Sequence, residues 1–173
     1  MNDQNEKMLF GKNVDKLINQ RYQTVKQAAR EIGYYRNDLT KVICGKKNFQ
    51  LKTALKIAKY FNISVFLLFD RLFDVAEYRT KFHYVDEEYD EVIRVNFRES
   101  NARQSDIRID PTTVSHFMRG HRNNPTIKTI CEIADGANLS VSDLLKTVQD
   151  KELDKRIKEN DKWFLFHMLM RQQ

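Results

Sequence analysis

Apolar residues recur at spacings of three and four along most of the chain, the period of an amphipathic helix. Val14, Leu17 and Ile18 mark one such face. Thr24 stands where an N-cap would, and Ala28, Ala29 and Ile32 follow before Gly33 closes the run. Leu39 and Val42 predict a third helix that stops at Gly45, and Leu51, Ala54, Leu55 and Ala58 a fourth. Ser64 predicts the cap of a fifth, very apolar helix running through Phe73. Further on, Asp110 followed by Pro111 is a strong helix start, an N-cap acid with proline at the first helical position. Pro125 and Ser140 open two more helices. A last stretch begins charged at Asp150 and becomes apolar on every side from Trp163 to Met170.

The pattern repeats. IAKYFNISVFLL at 57–68 and IADGANLSVSDL at 133–144 share Ile57/Ile133, Ala58/Ala134, Asn62/Asn138, Ser64/Ser140, Val65/Val141 and Leu68/Leu144. Upstream, Leu39 aligns with Val114, Val42 with Phe117 and Gly45 with Gly120, and one extra Asn at Asn123-Asn124 accounts for the change of offset. Leu17/Val92, Ile18/Ile93 and Tyr22/Phe97 extend the match upstream. A duplicated helical unit is the reading that covers most of the chain.

Composition narrows the classes. Five Gly and two Pro are too few for a turn-rich β-sandwich, and two cysteines cannot form a disulfide framework or a four-Cys zinc site. No segment approaches the roughly 18 apolar residues of a membrane span, and MNDQNEKMLF lacks the basic region and apolar stretch of a signal peptide. The expectation is a cytoplasmic protein. The net charge of +6 is unevenly spread: residues 1–80 carry +7 and residues 81–173 carry −1. Arg36, Lys41, Lys46, Lys47, Lys52, Lys56 and Lys59 are opposed between 36 and 59 only by Asp38. That points to an anionic partner. Asp86, Glu87, Glu88, Asp90 and Glu91 read as a solvated junction between the halves.

TVKQAAREIGYYRNDLTKVICGKKNFQLKTALKIAKYFNISVFLLF resembles, without a gap, the Cro/CI-type (XRE-like, lambda-repressor-like) helix-turn-helix family. Ala29, Gly33, Leu39 and Val42 occupy the small, turn and anchor positions of that pattern. PTTVSHFMRGHRNNPTIKTICEIADGANLSVSDLLK resembles the second half of the same pattern. The resemblance implies an all-α chain of two lambda-repressor-like helix-turn-helix modules in tandem plus a C-terminal helix. Their bounds would be 1–80, an acidic linker at 81–88, a degenerate second module at 89–148 and a helical tail at 149–173. In the second copy Gln104 falls on the small position, Arg108 on the turn glycine, and Arg103 on Ala28. Helix two is there either shortened by about a turn, with Gln104–Ile107 as its remnant, or packed differently.

By the same resemblance, the recognition helix meets base edges in the major groove with Tyr35, Arg36, Asn37, Thr40, Lys41 and Cys44. Arg36 suits guanine and Asn37 adenine, each by a bidentate pair. Lys46 and Lys47 suit phosphates. The second copy offers Thr112, Ser115, His116, Arg119 and Arg122, with His121 beside them and Asp110 occupied as an N-cap; it reads DNA or serves dimerisation or partner docking. The stretch before the second module spans at most about 35 Å extended, which permits successive major grooves on one face of the duplex. No cofactor or enzymatic grouping is expected: His116, His121 and Cys131 match no ordinary zinc spacing, and no phosphate loop or nucleophile set is present. The function implied is sequence-specific binding of double-stranded DNA, as a repressor acting by operator occupancy. The alternative is a helix-turn-helix scaffold used as an adaptor, inhibitor or antitoxin. Phe66, Phe69 and Phe73, or the 163–170 tail, are candidate homodimer contacts, the tail alternatively folding back on its own modules.

Overall fold

Helix boundaries follow the apolar spacing and its punctuation closely. A computed structural model describes residues 2–75 and 81–170, with side chains as far as residue 159. In chain order the α-helices are α1 (Asp3–Gln20), α2 (Val25–Ile32), α3 (Arg36–Ile43), α4 (Leu51–Phe61), α5 (Tyr89–Glu99), α6 (Pro111–Met118), α7 (Ile127–Gly136), α8 (Val141–Leu144) and α9 (Val148–Met170). Among the described residues, the 3-10 segments Val65–Phe69 and Gln104–Asp106 accompany them. The described residues contain no named strand, and the architecture is all-α. None of their helices is long and apolar enough to cross a membrane.

Caps explain the starts. Thr24 Oγ1 accepts from the Gln27 amide at 3.2 Å while Gln27 Oε1 accepts from the Thr24 amide at 2.8 Å, a reciprocal box that opens α2. Ser140 Oγ accepts from the Asp143 amide at 2.9 Å and opens α8. Asn62 and Asn138 end α4 and precede α8 at equivalent places, both at φ 54°. The buried side chains form one continuous cluster that runs through both halves of the chain.

The structure departs from expectation in three places. The fifth helix does not run to Phe73: a 3-10 segment ends at Phe69 and Asp70 is extended. The buried Asn13 amide donates to the carbonyls of Leu67, Leu68 and Asp70, acceptors that a longer helix would fill from its own next turn. Phe66, Phe69 and Phe73 are each only 2% exposed, so the association face proposed for them is already covered from within the chain. Phe69 lies 5.0 Å from the Phe10 ring and Phe66 5.1 Å from Phe82. The other candidate contact, the side chains of 163–170, lies outside the described residues. The acidic junction is anchored as well as solvated: Phe82 is buried, and its carbonyl accepts from the Ser64 amide at 3.2 Å. Asp90 and Glu91 belong to α5.

The first helix of the repeat is also shifted. Asn96 donates to the carbonyls of Asp143, Leu144 and Lys146, the counterparts of the three that Asn13 holds. Asn13 therefore matches Asn96, and Val14 matches Phe97, eight residues away from the alignment by apolar identity. Eight residues are close to two helical turns. Such a slide turns the helix by about 80°, still within the roughly 100° width of an amphipathic helix's apolar stripe, so periodicity alone does not detect it.

At the start of α9, Asp150 Oδ2 accepts from the Ser64 hydroxyl at 2.9 Å and from the Thr147 amide at 3.0 Å, tying the last helix to the first half. Burial raises its carboxyl pKa above the ordinary 3.8, against those donors. A carboxyl raised in the folded state favours the fold fully below 3.8 and loses that contribution as pH rises through the folded value. Asp150→Asn keeps an acceptor and removes the charge. The melting temperatures of the two proteins should converge towards pH 4, with the variant the more stable at pH 7; parallel curves would refute the assignment.

Candidate nucleic-acid interface

Why α3 stands where it does is a matter of three short contacts. Gly33 takes φ +69°, a left-handed turn that an L side chain would strain, and the Tyr34 amide donates back to the Ala29 carbonyl at 2.8 Å. From α4, the Lys56 ammonium donates to the Gly33 carbonyl at 2.7 Å and so closes the turn between α2 and α3. Leu39 and Val42 are fully buried under α3, against Ala28, Ala29 and Ile32 of the same core.

The opposite face of α3 is turned to solvent. Tyr35 is 83% exposed, and Arg36, Asn37, Thr40, Lys41 and Cys44 are exposed with it. Thr40 Oγ1 donates to the Arg36 carbonyl at 2.9 Å, so its hydroxyl is partly engaged within the helix. Arg36, Asn37 and Lys41 have no ion pair or side-chain hydrogen bond among the described residues. Five donor hydrogens on one planar guanidinium, an amide and an ammonium thus lie along one helix face.

Past the end of α3 the two lysines differ. Lys46 is exposed and its amide donates to the Lys41 carbonyl at 2.8 Å, which folds the loop back under the helix end. Lys47 is half-buried, with its ammonium 2.9 Å from Asp38 Oδ1 and 5.6 Å from the centre of the Tyr34 ring. The hydrogen bond to Asp38 raises its pKa. Asp38 and Lys47 lie nine residues apart, across the end of a helix, where helical spacing gives no signal.

In the second copy of the sequence repeat, the segment aligned with α2 holds only the 3-10 turn Gln104–Asp106. Arg103 is therefore exposed before that turn, not on an inner face, and its amide donates to Asp106 Oδ2 at 2.9 Å. Arg108 is not among the left-handed residues, because the loss of a helical turn removes the need for one there. Ile107 supplies the inward apolar side chain, packed on Gly136. Asp110 Oδ2 accepts from the Thr113 amide at 2.7 Å, and that backbone donor holds its carboxyl below the ordinary range. Thr112, His116 and Arg119 are exposed on α6, and Ser115 is half-buried. The His116 and His121 rings meet edge to face at 6.0 Å, and Arg122 Nη1 reaches Thr113 Oγ1 at 3.5 Å.

The loop after α6 is braced from α5. The buried Arg94 places Nη1 3.3 Å from the Phe117 carbonyl and 3.4 Å from Asn123 Oδ1, and its Nε pairs with Glu91 at 2.7 Å. Asp90 Oδ1 accepts from the Asn124 amide at 2.9 Å. Asp90 and Glu91, expected in solvent, are thus engaged, and Arg94 joins them; a lone arginine inside an apolar helix face is its signal in the sequence.

No group of three His, Cys, Asp or Glu among the described residues could hold a metal ion. Cys131 is buried, and desolvation pushes its thiol up to about 12, so it has little thiolate with which to react. In comparison with known proteins, the chain matches no family model, no curated protein and no solved structure.

Proposed function

We propose that this chain binds double-stranded DNA sequence-specifically and acts as a cytoplasmic transcriptional repressor by occupying its site. The first unit would be a helix-turn-helix module with α3 as its reading helix, the second a degenerate copy, and no catalytic step is involved. One observation carries the reading: α3, set on a buried anchor by the Gly33 turn, holds Arg36, Asn37 and Lys41 outward and without side-chain partners among the described residues. Planar bidentate donors that have no protein acceptor are suited to base edges, and the lysines beyond them to phosphates.

Binding of the purified chain to random duplex DNA over a range of salt tests it. A steep salt dependence with a preferred sequence supports the proposal, and a flat one supports a protein-binding adaptor instead. Arg36→Ala and Asn37→Ala should each weaken binding to the preferred duplex by about 1–3 kcal/mol while changing non-specific binding little. Both side chains are exposed, so melting temperature should stay put. Wild-type discrimination in both variants would show that α3 does not read bases.

A further inference from the structure

The two halves of the chain touch each other through equivalent residues. Gln50 and Thr126 face each other in an antiparallel bridge. The Leu51 amide donates to the Pro125 carbonyl and the Ile127 amide to the Phe49 carbonyl, both at 2.8 Å. The next pair is reciprocal too: Asn124 Oδ1 accepts from the Lys52 amide at 2.8 Å, and Asn48 Oδ1 from the Lys128 amide at 3.2 Å. Asn48 and Asn124, Gln50 and Thr126, and Lys52 and Lys128 are all separated by the offset of the sequence repeat. The same holds for the 3-10 segment Val65–Phe69 and α8 at Val141–Leu144, which pack against one another.

Contacts in which residue i meets j and j's counterpart meets i's are the mark of a twofold axis; a head-to-tail arrangement pairs unlike surfaces. Two such contacts, one polar and one apolar, set the halves about a local twofold inside a single chain. The loops that join α3 and α6 to the bridge carry Lys46 and Lys47 on one side of it and His121 and Arg122 on the other. The outward faces of α3 and α6 are related by the same axis. A duplex met by both is therefore met in two opposed orientations.

The side chains on those faces are not the same. Where α3 has Arg36, Asn37, Lys41 and Cys44, α6 has Pro111, Thr112, His116 and Arg119. Bidentate guanine and adenine pairing is available to the first face and absent at the first two positions of the second.

We infer that one chain is by itself an internally paired reader, and that its ligand is a single DNA duplex with two inverted half-sites of unlike sequence. This rests on the DNA-binding reading above and adds a relative orientation to the successive-groove spacing that the linker length permits. A second chain is not needed to complete the site.

The test uses the full chain. Duplexes are selected from a random library and the protected block is divided at its centre. Labelled duplexes are then rebuilt with the two halves inverted, in direct repeat, and with one half scrambled, at several spacings over one helical turn. Titration with the chain, with complex mass from sedimentation, should give one chain per inverted duplex. That duplex should bind about tenfold or more tighter than the direct-repeat and scrambled forms, as a linked second contact provides. Asn48→Ala, which removes one of the reciprocal acceptors but leaves both reading faces intact, should reduce this preference while leaving the scrambled duplex's affinity unchanged. Preference for the direct repeat, equal binding of the scrambled form, or two chains per duplex would overturn the inference and leave DNA binding standing. Failure to select any sequence would overturn both.

Discussion

Gly11→Ala should destabilise the protein by about 3 kcal/mol, the upper part of the range for overpacking, and lower its melting temperature by roughly 6–12 °C. A Cβ at this position would stand 1.9 Å from the Ile43 carbonyl oxygen and 2.6 Å from its carbon. Those are backbone atoms, so no rotamer change relieves the clash, and α1 must move away from α3. Phe10, Val14, Leu39 and Val42, all fully buried, share the core that would be pried open. The displacement falls on the end of the proposed reading helix, so site discrimination should suffer along with stability. Gly120→Ala is the control. Its φ of +77° carries left-handed strain, about 1 kcal/mol, but the added carbon meets nothing within 4 Å. Thermal melts of the two variants check the difference; equal losses would mean that α1 and α3 do not approach as closely as described.

Gly11 also illustrates what the sequence conceals. A glycine inside a helix costs about 1 kcal/mol against alanine, and its position in the middle of α1 was the one sign of a close crossing. Nothing in the sequence said which helix crosses there. The elements themselves were legible because their signals are local. Thr24, Gly33, Asp110-Pro111 and Ser140 each mark a boundary through a hydrogen bond or a backbone angle within four residues. The apolar run after Ser64 reads as a longer helix, because its competitor is Asn13, more than fifty residues earlier.

The same contrast holds at the candidate interface. Exposure of Tyr35, Arg36, Asn37 and Lys41 follows from the positions of Leu39 and Val42 on the buried side of one helix, which the period shows. The reciprocal contacts about Gln50 and Thr126 do not follow from period or charge. Asn48 and Asn124 were visible as loop polar residues, but their role depends on the two halves meeting at equivalent places. A repeat in sequence is compatible with either translation or rotation. Only the identity of the contacting residues distinguishes them.

Replacing Lys46 and Lys47 together with Ala should lower affinity for duplex DNA sharply and flatten its logarithmic salt dependence by up to about 1.8, near 0.9 for each phosphate contact. The two lysines should not contribute equally. Lys46 is exposed and without an ion pair among the described residues, so a phosphate can replace its solution counterion directly. Lys47 already holds Asp38 at 2.9 Å, and a phosphate must displace or share that carboxylate. Lys46→Ala alone should therefore flatten the slope by about 0.9, and Lys47→Ala by less. Asp38→Asn should act in the opposite direction on binding, since it frees the Lys47 ammonium and removes a negative charge beside the reading face. Its stability should fall slightly, because Asp38 lies in the first turn of α3, where an anion is worth about 0.3–1 kcal/mol. Tighter binding together with a lower melting temperature separates this effect from a general change in folding. The matching change in the second copy, His121→Ala with Arg122→Ala, removes one permanent cation and should flatten the slope by about 0.9 at most. Fluorescence titrations of one duplex between low and moderate salt measure the five variants and the unsubstituted protein on the same scale. A second-copy variant that loses as much affinity and slope as the first would make the two loops equal partners on the phosphates, and the +7 of the first half would not be what draws the chain to DNA.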